Sequence, residues 1–116
     1  MEKIGIVGDS DYSMAVVRKF LQTLDYNNVI IITGKDDGLE SSVYEIALRN
    51  RFKVELVDVT VRDGYTKIQA RKVRDRDIVL AVDKMYIFWD GANEHTKRIV
   101  KLVRIYNKEH VIIYPD

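Results

Sequence analysis

The run Val29-Ile30-Ile31-Ile32-Thr33 narrows the choice of fold more than any other stretch of this chain. Its apolar residues do not alternate with polar ones, so as a strand it has no face to give to water. Such a strand belongs in a parallel sheet covered on both sides by helices. The flanking sequence supplies strands and helices in alternation, which is what that architecture requires.

Lys3 to Gly8 is a short β-branched run closed by glycine and reads as a first strand. Asp9, Ser10 and Asp11 offer caps for a helix on which Met14, Val17, Phe20, Leu21 and Leu24 fall at helical spacing. The Asn27-Asn28 turn leads into the Val29 to Thr33 strand. After the loop Gly34 to Glu40 a helix runs to about Asn50, with Val43, Ile46, Ala47 and Asn50 inward. Val54 to Val59 is a third strand whose alternation suggests one partly exposed side. A loop around Arg62 to Tyr65 precedes a longer helix, Thr66 to Val82, with Ala70, Val73, Ile78 and Ala81 inward. The strand Met85 to Trp89, a helix from Glu94 to Asn107 and a last strand, Val111 to Tyr114, complete the chain before Pro115.

Five strands and four helices in this order predict an α/β three-layer sandwich. Its sheet is Rossmann-like, five-stranded and mostly parallel, of order 3-2-1-4-5, built as one domain over residues 1–116. No apolar run approaches the roughly 20 residues of a membrane span, and no signal peptide precedes the first strand, so the expectation is a cytoplasmic protein without membrane partners. The chain has no cysteine, which excludes disulfides and thiolate metal sites. A charged fraction of 32% with many Val and Ile would suit a hot environment. Residues 1–58 hold 7 Lys/Arg against 10 Asp/Glu, and residues 59–116 hold 12 against 8, so the second half is the better match for an anionic partner.

In the order 3-2-1-4-5 the chain reverses direction between strands 1 and 4. Ligands of open α/β sheets bind at such a switch point, outside the carboxyl ends of the strands. The loops meeting there are Gly8-Asp9-Ser10, Gly34 to Glu40, and Asp90 to Thr96. Gly8 permits a sharp turn, and the helix N-terminus after it can hold an anion, while Asp9 and Ser10 serve equally as helix caps. Neither G-x-G-x-x-G nor G-x-x-x-x-G-K-[ST] occurs, which removes the dinucleotide fingerprint and P-loop chemistry. Asp36, Asp37 and Glu40 are oxygen ligands that would suit a divalent cation, although no cofactor is expected. Glu40 either accepts from a ribose hydroxyl or caps its helix. His95, in the first turn of a helix, is placed to donate to a ligand or take part in acid–base work. Trp89 closes a core strand and can also wall a pocket.

Two basic surfaces stand apart from these loops. Arg71, Lys72, Arg74 and Arg76 make the third helix basic, with Arg74 and Asp77 spaced to pair on one face. Lys97, Lys101, Arg104 and Lys108 form a stripe along the fourth helix that can track a phosphate backbone.

Arg74-Asp75-Arg76-Asp77-Ile78, then Asp83, then Ile87-Phe88-Trp89-Asp90-Gly91, resembles the R-N-x-x-M…A-D…A-F-W-D-G signature of YspA-like proteins. These belong to the SLOG superfamily, with DprA and the cytokinin-activating LOG proteins as relatives. Val7-Gly8 with Tyr12, Gly34 and Gly38 with Glu40, and Asn93 to Thr96 resemble that family's other conserved loops. The resemblance implies a Rossmann-like fold binding a nucleotide or nucleotide-derived ligand at the three loops. Lys35 replaces a family glycine, Asp37 the loop arginine, Asp75 an asparagine and His95 the glycine before Thr96. The P-G-G-x-G-T motif of LOG hydrolases is absent.

The first expectation is therefore a nucleotide site. Gly8, Asp9, Ser10, Gly34, Gly38, Asp90, Gly91, Asn93, His95 and Thr96 would surround the ligand. Trp89 or Tyr12 would face the base and Arg74 would supply charge. Were it a hydrolase, Glu40, Asp90 or Glu94 would activate water. A second is a nucleic-acid-binding module of DprA type that uses the basic helices of a homodimer. A third is a non-catalytic interaction scaffold, with Tyr44, Phe52 and Tyr106 as candidate interface residues.

Overall fold

Strand and helix alternate through β1 (Glu2–Gly8), α1 (Met14–Leu21), β2 (Val29–Thr33), α2 (Leu39–Arg49), β3 (Lys53–Leu56), α3 (Lys67–Ala81), β4 (Lys84–Phe88), α4 (Glu94–Ile105) and β5 (Glu109–Ile113). The computed structural model describes residues 1–9, 12, 14–34, 39–57, 64 and 66–114. The sheet order is β3-β2-β1-β4-β5 and every neighbouring pair is parallel, as the sequence predicts. β1 and β4 are the central pair, in the register Gly8↔Phe88, so the end of the first strand lies beside the end of the fourth.

Alternation within each strand divides the core in two. Ile4, Ile6, Val29, Ile31 and Phe88 meet Val17 and Leu21 of α1 and Val43, Ile46 and Ala47 of α2 on one face. Val7, Ile32, Met85 and Ile87 meet Ile78 and Val79 of α3 and Ile99, Val100 and Val103 of α4 on the other. Each helix is thus held by a stripe of aliphatic side chains. No helix among the described residues is long and apolar enough to cross a membrane.

The inner faces differ from the expected ones in a few places. On α3 the buried residues are Ala70, Arg74, Asp75, Ile78 and Val79, while Ala81 is exposed. This face drifts around the helix and takes in two charged positions that the aliphatic pattern skips. Met14 is exposed at the start of α1. Asn50 is exposed beyond α2 and its amide group donates to the Ile46 carbonyl at 2.7 Å. Phe52 belongs to the core and is not an interface residue, whereas Tyr44 and Tyr106 are exposed. α3 opens on Thr66, whose hydroxyl accepts from the Gln69 amide while Gln69 accepts from the Thr66 amide, a reciprocal cap.

Candidate functional site

The Gly8–Asp9 and Asp90–Thr96 segments meet, and the residue joining them is Asp9. Gly8 ends β1 with φ +152°, and a Cβ there would lie 2.2 Å from the Phe88 carbonyl oxygen, so the close approach of β1 to β4 demands glycine. Asp9, 3% exposed, follows directly. Its amide donates to the Phe88 carbonyl at 2.9 Å. One carboxylate oxygen accepts from the Asp90 amide at 2.8 Å and the other from the Thr96 hydroxyl at 2.5 Å. Thr96 is fully buried. A carboxylate this enclosed needs donors, and it takes them from the turn after β4 and the first turn of α4.

That turn uses up much of its own hydrogen-bonding capacity. Asp90 accepts from the amides of Ala92 and Asn93 at 2.7 and 2.9 Å. The Ala92 and Asn93 amides hold its carboxyl below the usual carboxylate range. Asn93 caps α4 by accepting from the Thr96 amide at 3.1 Å, and its carbonyl accepts from the Trp89 indole N–H at 3.1 Å. Donors that the sequence offers to a phosphate are therefore turned inward onto Asp90 and Asn93. Gly91, exposed with φ +91°, is glycine for its backbone conformation, since nothing lies within 4 Å of a Cβ there. Glu94 is exposed in the first turn of α4.

Beside this turn lies a buried ionic cluster. Arg74, 1% exposed, corrects the reading of it as a solvated member of a basic helix. It pairs with Asp75 at 3.1 Å and approaches Glu40, in the first turn of α2, at 3.8 Å. Asp77 is half-exposed and lies 4.0 Å from Arg76 rather than against Arg74. Glu40 lies against Gly34, where a Cβ would come within 2.6 Å of its carboxylate. The cluster continues to His95, whose Nε2 is 3.7 Å from Asp75. Arg98 donates to His95 Nδ1 at 2.9 Å, which places the imidazole proton on the Nε2 that faces Asp75.

Tyr12 is drawn away from these groups, its hydroxyl donating to the Ile113 carbonyl at 2.9 Å and its ring set edge-on to Phe88. Ser10, Asp36, Asp37 and Gly38 lie outside the described residues. Among those described, no group of three or more acidic, His or Cys side chains is placed to hold a metal ion.

A second concave surface opens on the outer side of the cluster. Lys72 and Asp75 of α3 and Arg98, Lys101 and Leu102 of α4 line a groove of about 300 Å³. Lys97 and Arg104 are exposed on the same stripe as Lys101. Lys108 is diverted, its ammonium donating to the Val82 carbonyl at 2.8 Å. Lys72 was legible as part of a basic helix. Arg98 lies outside the 97–101–104–108 stripe, and its only signal in the sequence is its position three residues after His95.

No protein-family model and no curated protein matches the chain. Among solved structures it is similar to DNA processing protein A (DprA) from Streptococcus pneumoniae, with a TM-score of 0.81 at 16% identity over 100% of this chain. It is also similar to DprA from Helicobacter pylori, whose structure addresses its unique single-stranded DNA binding mode, with a TM-score of 0.77 at 15% identity over 99%. The chain spans 51% of the first protein and 66% of the second. Both neighbours are DprA proteins rather than YspA-like ones, and what this chain shares with them is the Rossmann-like α/β fold.

Proposed function

We propose that this domain binds single-stranded nucleic acid along the basic groove between α3 and α4. The observation that carries the reading is the convergence of Lys72, Arg98 and Lys101 on one concave surface, with Lys97 and Arg104 beside it on α4. The fold likeness to a DprA described by its single-stranded DNA binding mode supports the same class of partner. Among the described residues no aromatic side chain lines the groove, so affinity would come from phosphate contacts and show little sequence preference. Fluorescence anisotropy with a short labelled DNA strand tests this. Affinity should fall steeply with salt, with a log–log slope of about −0.7 for each phosphate contacted. Joint replacement of Lys97, Lys101 and Arg104 by alanine should weaken binding and reduce that slope by about 2. Salt-insensitive binding, or a triple variant that binds as well as the parent, would overturn it.

A nucleotide-sized ligand at the carboxyl ends of the strands is the second reading. A cleft of about 370 Å³ lined by Gly34, Ser41, Tyr44 and Leu56 favours it, because it opens at the end of β2, where open α/β sheets bind ligands. Here a thermal shift with nucleotides should survive high salt. A ligand at ~100 times its Kd would add about 2.7 kcal/mol of stability.

A further inference from the structure

We infer a second anion site at the opposite end of the sheet, independent of the groove, that takes an organic phosphate carrying an apolar or aromatic group. A cleft of about 360 Å³ lies between the C-terminal ends of α1 and α2. Arg18, Arg49 and Arg51 line it, and among the described residues no carboxylate does. Asp25, which lies between the lining residues Leu24 and Tyr26, is turned onto its own turn, where it accepts from the Asn27 amide and the Asn28 side chain. Among the described residues none of the three arginines enters an ion pair. Leu21, Leu24 and Phe52 supply an apolar wall, and Tyr26 stands edge-on to Phe52 with ring centroids 6.3 Å apart.

Arg18 and Arg49 occupy the last turns of their helices, where a cation complements the helix dipole. Arg51 follows at the same end of α2, just outside the helix. The end of α2 closes with Phe52 N–H donating to the Ala47 carbonyl at 3.0 Å and Arg51 N–H to that of Leu48 at 3.3 Å. In this closure the residue between must be left-handed, and Arg51 has φ +68°. α4 ends in the same way, but there the left-handed residue is Asn107, a type that accepts the conformation readily. An arginine at such a position gives up backbone comfort and places a third guanidinium on the cleft. Outliers of this kind point to function. Guanidinium forks match phosphate oxygens, and the leucines with the Tyr26–Phe52 pair suit the organic part. The volume is that of a small-ligand site.

The test is a titration of the 15N-labelled protein with adenosine 5′-monophosphate, with adenosine and inorganic phosphate as separate arms. The inference expects saturable amide shifts at Gln22, Tyr26 and Asn50 to Phe52, with both partial ligands binding more weakly than the whole. In Arg51→Gly the Kd should rise about tenfold, the loss expected for one charged hydrogen-bonding partner. Glycine suits φ +68°, so that variant keeps the helix end, and Arg49→Gln provides a second with the same expected weakening. Shifts confined to the other end of the sheet, equal affinity for inorganic phosphate and the nucleotide, or unchanged affinity in both variants would overturn it.

Discussion

Asp9 shows how one side chain can stand between two readings of a site. In the sequence it is a capping residue or a neighbour of a bound anion; in the structure it is the buried acceptor that ties the end of β1 to the turn before α4. Thr96→Val removes the hydroxyl donor while keeping the shape, leaving a buried carboxylate short of a partner. The expected cost is about 1–3 kcal/mol, read as a lower denaturant midpoint with unchanged slope. Asp90 makes a pH prediction. Its folded pKa lies below its unfolded one because amides hold the charged form. The stability it contributes is therefore present in full above the ordinary carboxylate pKa and is lost as pH falls through the lowered folded value. An NMR titration should find Asp90 among the last carboxyls to protonate, and Asp90→Asn should flatten the acid limb of the stability profile. Gly91 also changes how the turn should be tested. Its φ of +91° means that Gly91→Val would disturb the turn itself, so lost binding in that variant would say little about a ligand.

Among the elements, the helices are legible wherever aliphatic residues set the spacing, as on α2, where Val43, Ile46 and Ala47 are buried as their spacing predicts. α3 is legible in extent and in the burial of Ala70 and Ile78, but not in the charged residues it buries. Arg74 and Asp75 look like surface residues because a sequence gives each charge only its chain neighbours. Their burial depends on Glu40, in another helix and 34 positions earlier, and on His95. Arg74→Leu should therefore behave as a core mutation. Removing the cation leaves Glu40 and Asp75 buried together, at an expected cost of about 3–5 kcal/mol, measurable by chemical denaturation. A change of about 0.5 kcal/mol or less would show that the cluster is solvated after all.

For the molecule as a whole, strand order and the meeting of the loops after β1 and β4 followed from short apolar runs, their separation and the rule for crossover connections. The donors and acceptors within those loops were hidden, because their partners lie up to 87 residues apart. The charge asymmetry between the halves also found its place, since the described residues of the basic groove all belong to α3 and α4. The Arg18–Arg49–Arg51 cleft runs against that asymmetry, lying in the half with the acidic excess. A halves-by-charge reading passes over it because the three arginines are brought together by two helix ends.

The central position of β1 has a consequence for how the chain is made. As synthesis proceeds, β1 gains β2 on one side once Thr33 is present, but its other edge waits for Phe88. Asp9 stays without its donors until Thr96 follows. The first strand of this sheet in chain order is thus sealed among the last. Loop closure over some eighty residues stands before that pairing, which favours slow folding and a half-assembled sheet with an open, sticky inner edge.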